Sequence, residues 1–460
     1  MNIQFLINEK DYDKLTAHLL RGKFADEEAA ILLAGTNHVM GKIRLLVKEI
    51  VLVPNEALIS KGKAGLTIDP EFLSKIIKKC RYEKLSFILT HSHPFSDKQV
   101  AFSAIDDYGE KSLFPKIQRR VPNKHHGALV FGKSCVDGRI WLKGESKSTP
   151  MDSIIIIGNT LKLISCNKTK STSNTIIQDE VYNRQILAIK EEGQKLISKV
   201  KVGIVGLGGI GSQVFQQLAH LGVTDFILVD FDKIEESNRS RIVGSTIDDV
   251  KNRVYKVEIT SRLGYSINSK INIKQIIGTV NHLSVATELL GADIIFSCTD
   301  TMLSRMVLNR IAFQYMIPLI DMGIDIQPDD DGNIRRISGR VIKVTSNGPC
   351  LECMDFVNSN GLSREMNSDN VYSNQYIQNE DVPNPSVISF NGTVSSIGVS
   401  EFINFITGCF SRNSQKIFHM YDGRKGIIKQ ILMEQITQCK ICGEVVSIGN
   451  NEPLPCILNK

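Results

Sequence analysis

Three groups of residues in this 460-residue chain have the types and spacing that chemistry requires. The first lies in residues 201–230, KVGIVGLGGIGSQVFQQLAHLGVTDFILVD. Gly206, Gly208, Gly209 and Gly211 remove side chains where backbone must approach a phosphate. A helix opening at about Gly211 aims its unpaired N–H groups and positive dipole end at that phosphate. Asp230, ending the next strand, can accept hydrogen bonds from a ribose. The second group is HSHP with a later aspartate, giving His91, His93 and Asp106. Two His and one Asp with an open fourth position suit a hydrolytic zinc ion that activates water. A carboxylate such as Glu27 must then take and return the proton, and Ser103 can hydrogen-bond the oxyanion. The third group is a pair of Cys-x-x-Cys hooks, Cys350 with Cys353 and Cys439 with Cys442. Together they make a tetrahedral four-cysteine zinc site, structural because all four positions are filled.

A glycine fingerprint alone is shared by nicotinamide, flavin and ATP sites. A nicotinamide dehydrogenase needs one acidic residue for the ribose and no cluster of cations by the phosphates. This chain instead places Asn238, Arg241 and Lys256 after the second strand and Asp300 at the tip of a later one. Cations there neutralise a triphosphate, and a carboxylate there can hold Mg²⁺. Lys251 is an alternative to Lys256, and Glu28 to Glu27.

The elements that must position these groups follow from periodicity. Val202, Ile204 and Val205 form a buried strand, and the strand of residues 226–229 follows an amphipathic helix; this is half of a doubly wound α/β nucleotide fold. Upstream, LSFILT is a strand ending at HSHP, and its period of two puts His91 and His93 on one side. Asp106 falls on a helix of about residues 102–108, with Ser103 one turn earlier on the same face. Strands are expected at residues 3–6, 43–53 and 154–157, and helices at 11–20, 70–79 and 392–407. Residues 325–344 read as a hairpin around a DDDG turn, and residues 358–385 as a polar stretch.

Composition excludes several classes. A net charge of +6 is mild for this length, so no bulk affinity for nucleic acid follows. No apolar run reaches the ~20 residues a membrane helix needs, and the N-terminus lacks a signal-peptide apolar region. A cytoplasmic protein is expected. The ten cysteines are scattered apart from the two hooks, so they do not form a disulfide framework.

The pattern Glu27…HSHP…Ser103-x-x-Asp106, with EEAAILLAG before it, resembles the JAB/MPN metalloprotease family. Here His93 and Ser103 stand two residues further apart than is usual in that family, and Ala30 replaces a common glycine. Residues 181–345 resemble the ThiF/MoeB family, which includes the ubiquitin-activating (E1-like) enzymes, through YNRQI, GLGGIGS, LVDFD, SN-x-x-R, KVE and CTD. That resemblance implies that Gly206, Gly208, Gly209 and Gly211 line the phosphates of ATP and that Asp230, with Asp232 beside it, binds the nucleotide. It further implies that Asn238, Arg241 and Lys256 contact the phosphates and that Asp300 orients Mg²⁺. Arg184 matches an arginine that reaches the ATP of a partner subunit, which implies a homodimer.

The expected architecture is an N-terminal α+β JAB/MPN-like domain over residues 1–160, a linker over 161–180, and a Rossmann-like ThiF-type adenylation domain over 181–460 with a four-cysteine zinc site. The expected function is ATP- and Mg²⁺-dependent adenylation of the C-terminal carboxylate of a ubiquitin-like protein, coupled to a zinc isopeptidase that processes or removes the modifier. Two alternatives stand: activation of a sulfur-carrier protein for cofactor or thiolated-metabolite synthesis, or a JAB domain that only docks the modifier. The expected partners are a protein ending in glycine and a conjugating carrier enzyme. No Cys lies between Cys353 and Cys409, and Cys298 and Cys409 read as packing, so the sequence does not support a covalent thioester on this chain.

Overall fold

The computed structural model describes residues 1–21, 26–62, 65–166, 180–329, 331–367, 385–410 and 418–456. The chain divides into two units. The first holds Met1–Asn174, Gln314–Met316 and Val446–Pro453, and the second Thr175–Phe313, Ile317–Val445 and Leu454–Lys460.

The first unit is built from β1 (Asn2–Asn8), α1 (Glu9–Leu19), β2 (Ala29–Val39), β3 (Lys42–Leu52), β4 (Leu58–Gly62), β5 (Gly65–Ile68), α2 (Pro70–Tyr82), β6 (Ser86–Ser92) and α3 (Ala104–Arg120). β7 (His126–Phe131), β8 (Val136–Trp141), β9 (Ser148–Pro150), β10 (Ser153–Ile157) and β11 (Leu161–Ser165) complete it. Nine of these strands form one sheet in the order β11-β10-β1-β3-β2-β6-β7-β8-β9. The run AAILLA in β2 is apolar at every position because both faces of the strand are covered. Ala30, Leu32 and Ala34 join one core with Leu15 and Leu19 of α1. Ala29, Ile31 and Leu33 join the other, with Ile77 of α2 and Phe114 and Ile117 of α3. The start of the expected linker is a strand: Ser153–Ile157 pair antiparallel with residues 161–165. Residues 167–179 of that linker lie outside the described residues.

Nothing in the sequence signals that residues 446–453 belong to the first unit. Gly449 bridges Thr36, and the Asn450 N–H donates to the Thr36 carbonyl at 2.9 Å. Gly449 takes φ +56° against the Thr36 backbone, and a Cβ added at Gly35 would collide with the Ser447 carbonyl. Gly35→Ala is therefore expected to destabilise the first unit by roughly 1–3 kcal/mol, read as a lower melting temperature.

The second unit runs through α4 (Asn183–Lys199), β12 (Lys201–Val205), α5 (Gly209–His220), β13 (Asp225–Val229), α6 (Ile247–Lys251), α7 (Lys256–Ile267), β14 (Asn272–Ile276), α8 (Leu283–Leu289), β15 (Ile294–Ser297) and α9 (Met302–Gln314). It continues with β16 (Leu319–Pro328), β17 (Ile334–Val344), α10 (Ser359–Asn367), α11 (Ile388–Thr407), β18 (Phe418–Asp422) and β19 (Ile427–Ile431). Its eight-stranded sheet has the order β14-β13-β12-β15-β16-β17-β18-β19. β14, β13, β12, β15 and β16 are parallel, and β16 to β19 antiparallel. The chain steps outward from β12 first to one side and then to the other, so the crevice at the carboxyl end of β12 is the switch point where such sheets hold ligands.

The hairpin is longer than expected, pairing Leu319 with Val344 through Pro328 with Ile334; Asp330 of its turn lies outside the described residues. α11 begins four residues before the expected start and ends at Gly408, whose φ of 63° closes it. Of the polar stretch, residues 368–384 lie outside the described residues.

Candidate functional site

In the first unit, β6 delivers His91 near its end, and His93 follows it directly. Asp106 comes from the first turn of α3. The ligand atoms of these three residues all lie within 4.8 Å of one another. His91 Nε2 is 3.3 Å from Asp106 Oδ1, and His93 Nε2 is 3.5 Å from Asp106 Oδ2. His91 Nε2 is buried and makes no well-formed hydrogen bond, as suits a nitrogen that donates its lone pair to a metal. Two imidazoles and one carboxylate fit Zn²⁺. Burial alone would raise the Asp106 carboxyl, but the two histidines outweigh it and hold it well below the usual range. His93 is raised, chiefly by Asp106 and further by Glu27, against the pull of burial.

The choice between two adjacent glutamates is a matter of direction. Glu27 Oε1 lies 3.5 Å from His93 Nε2, and Glu27 is 3% exposed. Burial pushes its carboxyl up to about 7, with His93 opposing. Glu28 faces elsewhere and pairs with Lys61 at 2.6 Å and Arg21 at 3.3 Å. Ser103 differs from expectation. The helix starts at Ala104 and not near 102, so Ser103 is its N-cap. Its Oγ accepts the Asp106 N–H at 3.2 Å, while the Ser103 N–H donates to Asp106 Oδ2 at 2.6 Å. This capping box sets the pose of the carboxylate, because the bond that ends the helix also grips the ligand. The Ser103 hydroxyl proton remains available to donate.

In the second unit the four glycines divide their roles. Gly206 takes φ +88°, and an added Cβ would sit 2.6 Å from the Cys298 carbonyl oxygen; at Gly211 it would strike the Gly206 carbonyl. Those two glycines let strand, turn and helix pack closely, a need that the fold itself sets. At Gly209 a Cβ would meet Asn391 and lie 3.3 Å from Arg241 Cδ. Only at Gly208, among the four, would it meet open space. α5 opens at Gly209, two residues before the expected start.

Asp230 is turned inward. Its Oδ2 accepts the Leu207 N–H at 2.6 Å and its Oδ1 the Asp232 N–H at 2.8 Å, so it holds the turn as well as flanking it. Burial raises this carboxyl, with Lys256 opposing. Lys256 begins α7, is 9% exposed, and places Nζ 2.6 Å from Asp232 Oδ2. Lys251 instead pairs with Asp248 on the surface, 3.3 Å away. Arg241 donates to the Ser237 carbonyl at 2.6 Å and passes over Gly209. Asn238 ends a short 3-10 turn beside it. Asp300 is exposed, two residues beyond the Cys298 carbonyl that backs Gly206. Its hard oxygens suit Mg²⁺.

Arg184 is not brought to this turn. Gln185 donates to the Leu221 carbonyl at 3.0 Å, and Tyr182 packs at Gly222, both beyond the far end of α5. The 12 residues of α5 make that end about 18 Å from the glycines.

The sequence pattern of the ThiF family matches residues 182–441, more than half of the chain. This protein belongs to the ThiF family. It is 26% identical over 268 residues to the molybdopterin-synthase adenylyltransferase of Escherichia coli, covering 57% of this chain and 96% of that protein. It is 28% identical over 175 residues to the SAMP-activating enzyme E1 of Haloferax volcanii, covering 38% of this chain and 60% of that one. A crystal structure of E. coli MccB with ATP matches 58% of this chain and 75% of that chain at 21% identity and a TM-score of 0.46.

The ThiF unit also assembles the four hook cysteines. Cys350 Sγ lies 3.7 Å from Cys353 Sγ and 3.6 Å from Cys439 Sγ, and Cys353 Sγ lies 3.5 Å from Cys442 Sγ. Four sulfurs at ~2.3 Å from a tetrahedral zinc would stand about 3.8 Å apart, so the cluster fits Zn²⁺. Backbone N–H groups of Cys353 and Ile436 donate to the Cys350 and Cys353 sulfurs, each at 3.4 Å.

Two supports escaped sequence reading. Arg305 donates to the Asp300 carbonyl at 3.1 Å and to that of Thr299, and its Nε lies 3.2 Å from Asp321 Oδ1. Asp321 is 0% exposed and also accepts from Ser297 Oγ at 2.7 Å. Together they fix the backbone that carries Asp300. The only available signal was a charge in an apolar strand, LIDMG, which demands a buried partner. As for a nucleophilic thiol, Cys298 is half-buried and its surroundings push it far up, chiefly by desolvation. Cys409 lies beyond Gly408, the C-cap of α11, whose other end meets the turn through Asn391.

Proposed function

We propose that the second unit adenylates the C-terminal carboxylate of a small ubiquitin-like or sulfur-carrier protein, and that the first unit is a zinc isopeptidase acting on the same modifier. The observation that carries the first half is that Arg241 passes over Gly209, that Lys256 pairs with Asp232 next to the Asp230 that holds the Leu207 N–H, and that Asp300 follows the Cys298 carbonyl backing Gly206. Gly208, the glycine with open space beside the N-terminus of α5, would leave room for the α-phosphate of ATP. The modifier's carboxylate oxygen attacks the α-phosphorus, the bond to the bridging oxygen breaks, and pyrophosphate leaves. Carboxylate and phosphate repel, so Lys256 and Arg241 screen the charge as the two approach. Asp300 would hold Mg²⁺, which would supply positive charge to neutralise the phosphates. The mixed anhydride passes to an outside acceptor, since Cys298 and Cys409 put no reactive thiol at the turn.

Arg184 serves the nucleotide of a second copy. The start of α4 supports this, because Val181 in the 3-10 turn just before it and Leu187 on the helix are 76% and 87% exposed. Mixing equal amounts of Arg184→Ala and Asp300→Ala chains should restore about a quarter of wild-type activity, since half the dimers then hold one complete site. No recovery after subunit exchange would defeat the shared site.

In the first unit, His91, His93 and Asp106 would hold Zn²⁺, which would supply Lewis acidity toward a scissile carbonyl and a water. Glu27 takes the water's proton and returns it to the leaving amine, and Ser103 donates to the developing oxyanion.

The sulfur-carrier variant of this reading draws support from the similarity across 96% of the molybdopterin-synthase adenylyltransferase. The deciding experiment is ATP–pyrophosphate exchange by the full chain with candidate modifiers that end in glycine. Exchange that depends on the modifier's terminal carboxylate is expected; its absence with ubiquitin-like and sulfur-carrier proteins alike would sink the proposal.

A further inference from the structure

We propose that Arg139 is a positioning residue for the metal ligand Asp106, tying the first turn of α3 to the sheet that carries the histidines. This rests on the reading of His91, His93 and Asp106 as a metal site. Asp106 reaches that site from a helix, whereas both histidines come from the end of β6, so something must hold helix and strand in register. The capping box at Ser103 sets the carboxylate within its own turn but does not anchor that turn to the sheet.

Arg139 does so from β8. Its Nη1 lies 2.6 Å from Asp107 Oδ1 and its Nη2 2.6 Å from Glu110 Oε2. The guanidinium carbon stands 3.8 Å from the centre of the Phe102 ring, which in turn lies 6.1 Å from the His91 ring. One side chain thus grips residues before and after Asp106 on both flanks. β8 is linked to β6 through β7, by the pairs Ala128 with Arg139 and His91 with Val130. The carboxylate and the imidazoles are thereby referenced to the same hydrogen-bonded ladder. Nη1 donates a hydrogen bond to Asp107, while Nη2 meets Glu110, which is 3% exposed, as a close charge contact without a well-formed hydrogen bond, so the Asp107 arm gives the grip its direction. A planar fork can meet two carboxylates and cover a ring at once, which an ammonium cannot.

The test uses the full metal-free chain titrated with Co²⁺. Cobalt in the four-cysteine cluster shows intense thiolate charge-transfer absorption, while cobalt on two His and one Asp shows only weak visible bands; the cluster reports folding of the second unit, and urea unfolding followed by the fluorescence of Trp141, the chain's single tryptophan, reports that of the first. Arg139→Met is expected to weaken the His–Asp site about 10–100-fold, the usual effect of losing an outer partner of a ligand, and to leave the titration of the cysteine cluster unchanged. Arg139→Lys should recover part of the loss through its charge. Should Arg139→Met fail to fold, Asp107→Asn removes one arm of the grip at a half-exposed position and should still weaken the site several-fold.

Wild-type affinity and band shape in Arg139→Met, or in Asp107→Asn if the first variant is lost, would overturn the inference. A wild-type chain that binds cobalt only through its cysteines would overturn the metal-site reading itself, and that result precedes any substitution.

Discussion

Asp300→Ala is expected to lower ATP–pyrophosphate exchange by about 10²–10³-fold while leaving the fold intact, the range seen when one group aimed at developing charge is lost. The second part of that expectation comes from how the loop is held. Arg305 binds the Thr299 and Asp300 carbonyls, not the Asp300 carboxylate, and Arg305 is itself anchored on buried Asp321. Removing an exposed carboxylate therefore takes away the proposed metal ligand and disturbs no packing. Lys256→Ala would be less clean, because it strips Asp232 of its 2.6 Å partner next to buried Asp230 and so moves the glycine turn. Arg305→Met should mimic Asp300→Ala in exchange but also lower stability, since it leaves the Asp321 carboxylate short of a partner. Undiminished exchange in Asp300→Ala, measured at saturating ATP and Mg²⁺, would remove the proposed role of this strand tip.

Glu27→Gln should reduce cleavage of a modifier-linked substrate by about 10²–10⁴-fold, the usual worth of a positioned general base. Metal content should remain at the wild-type level, because the ligands His91, His93 and Asp106 are untouched. The neighbouring variant sharpens the test. Glu28→Gln breaks pairs with Lys61 and Arg21 and should lower stability while sparing catalysis. Burial would raise the Glu28 carboxyl, but Lys61 and Arg21 win and hold it below its ordinary value of 4.5. Its folded-state pKa is depressed, so its contribution to stability is present above that value and is lost as the pH falls. Wild-type stability should therefore decline on acidification more than that of Glu28→Gln. Equal cleavage by wild type and Glu27→Gln would leave the first unit as a docking module.

The sequence alone settled what depends on short spacings. Alternation in a strand places His91 and His93 together whatever surrounds them, and the turn after β12 needs glycine in any sheet of this class. The two hooks specify a sulfur cluster because Cys-x-x-Cys brings both sulfurs of each pair within reach of one ion. Tertiary structure decided every choice between neighbours and every support from afar. That Glu27 meets His93 while Glu28 meets Lys61, and that Lys256 meets Asp232 while Lys251 meets Asp248, depends on where a side chain finds its counter-charge, which local periodicity does not encode. Ser103 falls inside the helix by its spacing, yet the helix starts at Ala104 and makes Ser103 the cap that poses Asp106. Arg139, Arg305 and Asp321 act on partners 16 to 32 positions away. Residues 446–453 close on Thr36 from more than four hundred positions away. Local pattern carries the geometry of a turn or a strand; the pairing of charges and the meeting of distant backbones follow from packing, which exists only once the chain has folded.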